Sequence, residues 1–389
     1  MKMTNPHKMP FIGQFAKSVA SLCREDEKGL LYHMDYSADY YKLLPALDIA
    51  AKSGCSTFVT RTVDGDPIMA RNFDYRHFRN NVETTEDEIT GLQVVVHCSN
   101  PKAKYRSLGI ADAYWLGLRN GTFYEGVLDD GKTDISMALF LPFLCMDGMN
   151  EKGLAVSIMY LPTENRWDET EYVEAESLTA AQKRTAVILN EPGAEPSALE
   201  PRTQSGSYAI NTADRRAWKA YKNFALHQKE KGKKTVLHPV LMRMMLDSCE
   251  TVEEAITLAL SVNVKSVVRD ADYHILVTDA NGRTVILEWI DRKLVCCDTC
   301  HGANFYVGRE DRFGYGYDRD ELMKASMSKY SQGMPENVAM HTLAVASQNT
   351  RDGSGQSFTQ WSAVYNLKRQ TLKLCVHMNY DKVFQYELL

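Results

Sequence analysis

The sequence predicts an α+β fold in which antiparallel strand pairs are layered with pairs of helices. Two β-prone segments flank the Gly65-Asp66 turn, and a second pair flanks Asn281-Gly282, a dipeptide that strongly favours a tight hairpin. Two adjacent helices are predicted before the second hairpin, and the later one begins at Thr251, with Glu254 three residues on. Because strands and helices both occur in pairs, a sheet covered by helices is the simplest arrangement.

The individual elements follow from periodicity and turn signals along the chain. Alternating or short apolar runs predict the strands, at residues 56–61, 68–70, 138–141, 153–160, 273–278, 284–290, 362–365 and 372–376. Helical periodicity predicts helices over 239–248 and 251–260, and glycines predict a turn over 147–153. Residues 163–235 are polar and rich in proline, which predicts a loop-rich insertion. From this order of elements we expect an ordered leader, residues 1–54, followed by a single domain, residues 55–389, which contains the insertion.

Composition limits the class of protein. The 389 residues are 44% hydrophobic and 24% charged, near the globular average. The net charge of -5 comes without a dense basic run, which argues against a nucleic-acid partner. No window has the length and apolarity of a membrane span, and the N-terminal segment lacks the apolar core of a secretory signal. Nine cysteines without scaffold spacing fit reduced thiols, so we expect a cytoplasmic protein.

The first hairpin holds a candidate nucleophile, Cys55, followed by Arg71 and Asp74. A hairpin centred on the Gly-Asp turn places Thr57 opposite Asp74, with Cys55 one diagonal away on the same face, at roughly 7 Å. Arg71 then lies on the other face, and bringing it to Cys55 requires a bulge or a strand end. From this spacing alone, a half-buried structural cysteine beside a surface ion pair fits as well as an active site.

Two features of the segment suit nucleophilic chemistry. A cation such as Arg71 favours the thiolate form of a cysteine, which is the nucleophilic form. Cutting the Gly54-Cys55 bond would create an α-amine, whose ordinary pKa of about 7.7–8.0 suits a general base. Gly54 permits the unusual backbone geometry that self-cleavage requires.

Four further motifs follow Cys55 in a specific order. They are Arg-Asn-Phe-Asp at 71–74, Asn-Glu-Lys-Gly-Leu at 150–154, Ala-Asn-Phe-Tyr at 303–306 and Tyr-Asp-Arg at 317–319. Together with Gly-Cys-Ser-Thr at 54–57, they resemble the N-terminal-nucleophile (Ntn) hydrolase family of choloylglycine hydrolases and penicillin V acylases, with its acid ceramidase and isopenicillin N acyltransferase relatives. Ala303 replaces the usual Thr of that family. The long segment before Cys55 is more similar to the acyltransferase and ceramidase branches than to the bile salt hydrolases.

The resemblance implies a four-layer αββα sandwich of two antiparallel sheets flanked by helices. It also implies autocatalytic cleavage at Gly54-Cys55 and hydrolysis of a linear, non-peptide amide. The implied substrate is a small N-acyl compound of bile-salt or penicillin V type. The oligomeric state stays open, and a homo-oligomer is one alternative. The implied site residues are Cys55 as nucleophile, Arg71 and Asp74 as orienting groups, Asn150 and Asn304 as oxyanion donors, and Arg319 as a further active-site arginine.

Other interpretations stay open at this point. An acyltransferase of the isopenicillin N type uses the same chemistry, and a catalytically silent binding protein could use the same scaffold. Cys297, Cys300 and His301 match the haem-attachment pattern in form, but a lone CxxC lacks the second ligand pair of a closed zinc site. We therefore expect neither a cofactor nor a metal. His274, in an alternating strand, is predicted to be a hydrogen-bonded core or pocket histidine.

Overall fold

A computed structural model describes residues 13–46, 54–75, 92–116, 135–162, 230–265, 271–290, 293–349 and 357–388. The described strands are β1 (Cys23–Arg24), β2 (Leu31–Tyr36), β3 (Gly54–Arg61), β4 (Pro67–Tyr75), β5 (Gln93–Cys98), β6 (Ser107–Asp112), β7 (Cys145–Asn150), β8 (Ala155–Pro162), β9 (Thr235–Leu237), β10 (Asn263–Lys265), β11 (Ala271–Thr278), β12 (Thr284–Ile290), β13 (Lys293–Cys297), β14 (His301–Gly302), β15 (Asn304–Phe305), β16 (Gly314–Tyr315), β17 (Phe358–Asn366), β18 (Thr371–Val376) and β19 (Phe384–Glu387). The described α-helices are α1 (Gln14–Ala20), α2 (His238–Ser248), α3 (Val252–Ser261), α4 (Tyr317–Lys329) and α5 (Glu336–Val345). Short 3₁₀ helices cover Tyr40–Ala46, Ala113–Leu116 and Ile135–Phe143.

Two large sheets contain most of the described strands. The larger sheet has the order β1-β2-β5-β6-β7-β8-β11-β12-β13, and the smaller has the order β14-β3-β4-β17-β18-β19. Pairing within them is antiparallel except between β2 and β5. The candidate nucleophile therefore begins a strand of the smaller sheet, one strand away from its edge.

The two sheets pack face to face, and helices cover their outer faces. Alternate residues of both sheets form the apolar layer between them, with Phe73 and Trp361 from the smaller sheet and Val95 and Leu276 from the larger. Helices α2 and α3 bury their apolar faces on the outside of the larger sheet, and α4 and α5 do so on the smaller. Each amphipathic element thus finds one apolar partner surface. The predicted αββα sandwich is confirmed.

The N-terminal segment is built into this sandwich. Strand β2 pairs in parallel with β5, and β1 extends the same sheet by one more strand. The hydroxyl of Tyr40 donates to Asp247 of α2 at 2.6 Å, and Tyr41 donates to the same carboxylate at 2.7 Å. Residues 13–46 therefore share the apolar core of the larger sheet with residues that follow Cys55.

Most predicted elements are confirmed, and two are wrong. The two hairpins, the helices at 238–248 and 252–261 and the C-terminal strands lie where the periodicity placed them. Residues 138–141 belong to a 3₁₀ helix, not a strand, because a short buried apolar run suits either element. The predicted turn over 147–153 is strand β7 up to Asn150, and the chain turns only after it. Residues 163–229 of the predicted insertion lie outside the described residues.

Among the residues described, no helix combines the length and the apolarity needed to cross a bilayer.

Candidate active site

The register of the β3–β4 hairpin differs from the predicted one. Thr57 lies opposite Arg71, Cys55 opposite Phe73, and Gly54 opposite Asp74. The difference arises because the turn is five residues long, closed by Thr62 and Asp66, and not two residues long. Arg71 is therefore the diagonal neighbour of Cys55 on the inter-sheet face, and no bulge between the strands is needed. Asp74 points to the opposite face, towards α4 and α5.

Arg71 is fully buried and reaches the candidate nucleophile directly. Its Nη2 lies 3.0 Å from Cys55 Sγ and donates to the carbonyl of Ile158 at 2.7 Å. Its Nη1 contacts the carbonyl of Met146 and pairs with Asp147 at 3.1 Å. A cation fixed this close to sulfur favours the thiolate.

Asp147 was missed by the sequence analysis. It lies on β7 of the larger sheet and accepts hydrogen bonds from Trp361 Nε1 at 2.9 Å and from the hydroxyl of Tyr365. Burial raises the pKa of its carboxyl, while the Arg71 charge and these two donors oppose that rise. The Arg71–Asp147 pair thus joins the two sheets beside Cys55. The one sequence signal for Asp147 is its position three residues before the Asn150 motif.

Arg319 of α4 binds the other side of the hairpin. Its Nη1 donates to the carbonyl oxygen of Cys55 and to Asp74 Oδ2, both at 3.0 Å. Its Nη2 donates to Asn304 Oδ1 at 2.8 Å. The guanidinium therefore ties together the nucleophile backbone, the predicted carboxylate and the predicted amide.

Asp74 is held by three donors in the helix-facing layer. Besides Arg319, Gln348 Nε2 donates to it at 2.8 Å and the Thr359 hydroxyl at 2.6 Å. Burial raises the pKa of Asp74, and Arg319 opposes the rise most strongly. Asp74 is thus linked to the Cys55 carbonyl through Arg319, which donates to both. Gln348 and Thr359 carried no sequence signal, since both are common polar residues.

Asn304 binds the backbone nitrogen of the candidate nucleophile. Cys55 N donates to Asn304 Oδ1 at 3.0 Å, and Asn304 Nδ2 donates to the carbonyl of Tyr160 at 2.8 Å. Because Arg319 can only donate, its bond to Oδ1 settles the orientation of the amide. Gly316, at φ 88°, makes room for this arrangement, since a Cβ there would lie 2.4 Å from Arg319 Nη2.

A buried His274–Glu288 pair holds the segment that carries Asn304. His274 Nε2 lies 2.8 Å from the carbonyl of Ala303, and its Nδ1 lies 2.8 Å from Glu288 Oε1. Glu288 also accepts from the backbone N–H groups of Val307 and Gly308, each at 2.8 Å. Since a carbonyl only accepts, the contact to Ala303 requires the N–H of His274 to lie on Nε2. The prediction of a hydrogen-bonded core histidine is confirmed.

The structure does not bring Asn150 to this cluster. Its Nδ2 donates to the carbonyls of Leu246 and Cys249 at the end of α2, at 3.0 and 2.7 Å. Its Oδ1 accepts from the backbone of Lys152 and Leu154 in the β7–β8 turn. The Oδ1 atom of Asn150 therefore binds the β7–β8 turn and its Nδ2 atom binds the end of α2, on the outer face of the larger sheet.

The comparisons with known proteins are limited to distant structural similarity. No family model matches the chain, and no curated protein matches it. Two variants of conjugated bile acid hydrolase from Clostridium perfringens are similar at 13% identity and a TM-score of 0.45, covering 86% of this chain and 92% of theirs. Penicillin V acylase from Agrobacterium tumefaciens is similar at 14% identity and a TM-score of 0.46, covering 86% of both chains. The layered arrangement described above rests on the sheets and helices of this chain itself.

Proposed function

We propose that the chain is a cysteine N-terminal-nucleophile amidase that hydrolyses a linear carbon–nitrogen amide in a small N-acyl substrate. The observation that carries the proposal is the separate binding of each functional group of Cys55: Sγ by Arg71, the backbone nitrogen by Asn304 and the carbonyl by Arg319. A buried cysteine that only fills space needs none of these contacts. Three buried polar side chains around one cysteine therefore favour chemistry over packing.

The first step we propose is self-cleavage between residues 1–54 and 55–389. The Cys55 thiolate attacks the carbonyl carbon of Gly54, the C–N bond of Gly54-Cys55 breaks, and its nitrogen takes up a proton. The acyl group is then a thioester on Sγ. Water hydrolyses that thioester to the carboxylate of Gly54 and the free thiol, which leaves an α-amine on Cys55.

Turnover follows the same path with the substrate amide in place of Gly54. The α-amine accepts the thiol proton as Sγ attacks the amide carbonyl, and it passes that proton to the leaving amine as the C–N bond breaks. Water then attacks the thioester, and the acid is released. Asn304 Oδ1 would accept a hydrogen bond from the α-amine, as it does now from the peptide nitrogen.

We propose Asn304 as a hydrogen-bond donor to the oxyanion of the tetrahedral intermediate, and we no longer propose Asn150 for this role. Asn304 lies next to the nucleophile, and its bond to the Tyr160 carbonyl uses one of the two N–H groups on Nδ2, whereas both side-chain donors of Asn150 are bound at the end of α2. One oxyanion donor contributes about 3–4 kcal/mol to the lowering of the barrier. Asn304 is neutral, so Arg71 and Arg319 would supply the positive charge near the reacting carbonyl.

The substrate classes we propose are amides of bile-salt or penicillin V type, the classes implied by the sequence motifs. The segments expected to set specificity are residues 75–81, 114–124 and 163–235, of which 76–81, 117–124 and 163–229 lie outside the described residues. Acyl transfer to an amine, as in an isopenicillin N type acyltransferase, would use the same thioester.

The test starts with intact mass measurement of the purified chain. We expect fragments that correspond to residues 1–54 and 55–389, and we expect Cys55→Ala to stay intact. Cys375→Ala, which removes another buried cysteine of the same sheet, is the matched control and should still be cut. The cleaved protein is then assayed on conjugated bile salts, penicillin V, N-acyl amino acids and N-acylethanolamines, with and without an acceptor amine. A chain that is never cut and hydrolyses nothing points to a silent binding protein.

A further inference from the structure

Three metal-ligating side chains meet at the outer edge of the larger sheet. They are Cys23, Glu25 and His33, and their ligand atoms all lie within 4.8 Å of one another. None of the three belongs to the Cys55 site. The cluster is accessible, because Cys23 is exposed and the side chains of His33 and Glu25 are 30% and 27% exposed.

The backbone holds these side chains in place. Cys23 lies directly opposite His33 in the β1–β2 pair, so both project from one face of the sheet. Glu25 N donates to the carbonyl of Leu31 at 2.9 Å, which fixes the residue that follows β1. Strand β2 is in turn paired along its length with β5. Ligands on paired strands are positioned more precisely than ligands on free loops.

The turn between the two strands is also fixed. Asp26 Oδ1 accepts from the backbone N–H groups of Leu30 and Leu31, at 2.8 and 2.9 Å. The carboxylate of Asp26 is thus used by the turn, and that of Glu25 is left to contact His33 Nδ1. Within the part of the chain that the structure describes, Cys23 Sγ makes one hydrogen bond, a long contact of 3.7 Å to the carbonyl of Arg24.

The donor set indicates which ion fits. A thiolate, an imidazole and a carboxylate are the three ligand types that Zn²⁺ takes in proteins. Ligands at about 2.0–2.3 Å from a tetrahedral ion lie about 3.5 Å apart, so pairs that are now up to 4.8 Å apart would close by about 1 Å, and His33 and Glu25, now in direct contact, would move apart. Mg²⁺ and Ca²⁺ prefer oxygen ligands only, and the thiolate disfavours them.

We propose that Cys23, Glu25 and His33 form a Zn²⁺ site with one coordination position left for water. This departs from the sequence expectation of no metal. Strand β1 has only two residues, so a metal joining it to β2 would stabilise the edge of the sheet. Binding to the folded form alone raises the free energy of unfolding by RT ln(1 + [Zn²⁺]/Kd).

The test uses the full chain carrying Cys55→Ala, so that residues 1–54 stay attached whatever happens at Gly54-Cys55. After removal of metal with a chelator, the protein is titrated with Zn²⁺ and, separately, with Co²⁺. We expect one Zn²⁺ per chain, a sulfur-to-cobalt charge-transfer band and a higher Tm with Zn²⁺. Cys23→Ser should abolish the band and the Tm shift.

Glu25→Gln and His33→Gln should each weaken Zn²⁺ binding at least about tenfold, since even residues that only support metal ligands contribute 10- to 100-fold. The matched controls are Cys296→Ser and His341→Gln, which remove an exposed cysteine and an exposed histidine elsewhere. Both should bind Zn²⁺ as the parent does. A parent chain that binds no Zn²⁺, or binding that survives Cys23→Ser, overturns the proposal. Far-UV circular dichroism of each variant separates lost ligands from lost folding.

Discussion

Arg319 contacts three acceptors that belong to three parts of the chain. The acceptors are the Cys55 carbonyl, the Asp74 carboxylate and the Asn304 amide oxygen. A guanidinium can serve all three at once, because its donors are arranged as a rigid, planar fork. A lysine ammonium has the same charge but not this geometry.

We therefore predict that Arg319→Lys slows cleavage of Gly54-Cys55 by about 10- to 100-fold. The lost charge-assisted hydrogen bonds contribute about 1.5–3 kcal/mol each, and every 1.4 kcal/mol in the barrier is about tenfold in rate. Intact mass measured against time gives the rate. Arg106→Lys, at a half-exposed arginine paired with Glu151, is the control and should cleave normally. If Arg319→Lys were cleaved at the parent rate, the contacts of Arg319 with Cys55, Asp74 and Asn304 would have no role in cleavage.

For the proposed reaction we infer a positioning role for Glu288, whose side chain contacts His274 and the segment after Asn304. It accepts from two backbone N–H groups just after Asn304 and orients His274, which binds the carbonyl just before it. A glutamine keeps the size but replaces one acceptor oxygen with a donor. One buried N–H group then loses its partner.

Glu288→Gln should therefore lower the free energy of unfolding by about 1–3 kcal/mol, the cost of one unsatisfied buried group. It should also slow cleavage, because Asn304 loses its support. Urea denaturation and the mass assay measure the two effects on the same sample. Glu253→Gln, at a largely exposed carboxylate, should change neither. A stability loss with unchanged cleavage would show that the pair has no positioning role.

At the scale of elements, β2 is an internal strand although it precedes the proposed cut. It lies between β1 and β5, and its residues Met34 and Tyr36 are fully buried. Removing it would expose one edge of β5 and part of the core beneath α2. A cut at Gly54-Cys55 breaks one covalent bond but none of these contacts.

We thus predict that residues 1–54 stay bound after cleavage. Both fragments should elute together on gel filtration under native conditions, and urea at an unfolding concentration should separate them. Mass measurement of each fraction identifies the fragments. A small fragment that elutes alone without denaturant would contradict the prediction.

Elements were predicted better than their register. Period-two alternation located β3 and β4, but the register of the two strands depends on the turn between them. The turn has five residues and not the expected two, so every residue of β3 has a different partner on β4 from the predicted one. The consequence was large, because it exchanged the faces assigned to Arg71 and Asp74. The run 138–141 was assigned to a strand and lies in a 3₁₀ helix, since its apolar residues carry no clear period.

At the scale of the whole molecule, the turns of two hairpins are joined at one end of the smaller sheet. Asp66, in the β3–β4 turn, accepts from Arg369 Nε at 2.8 Å, and Arg369 follows β17. The hydrogen bond from Arg369 lowers the pKa of Asp66, whereas burial opposes this. A carboxylate with a lowered pKa in the folded state stabilises the fold above its ordinary pKa of 3.8, and this stabilisation is lost as the pH falls through the folded value.

Arg369→Gln should accordingly lower the free energy of unfolding at neutral pH, and only slightly, because Arg369 is more than half exposed and solvent screens the pair. The difference from the parent should shrink as the pH is lowered below 3.8, where Asp66 becomes protonated in both proteins. Urea denaturation at a series of pH values measures it. Lys329→Gln, at an exposed lysine at the end of α4, should show no such pH dependence. A difference that grows on acidification would contradict the assignment.

The sequence by itself determined the class of fold, the paired strands and helices, and the residues Cys55, Arg71, Asp74, Asn304 and Arg319 as one candidate set. These depend on local periodicity and on short motifs, which a chain carries in its order of residues. Only the tertiary structure decided that Arg71 reaches Cys55 from the inter-sheet face and that Arg319 links Asp74 to the Cys55 carbonyl.

Tertiary structure also decided the two outcomes that no local pattern could show. It placed Asn150 at the end of α2, and it brought Asp147, Glu288 and Gln348 to the site or its support. Contacts between residues far apart in sequence depend on strand register, sheet packing and helix docking. These are set by the burial of the whole core, which no single segment encodes.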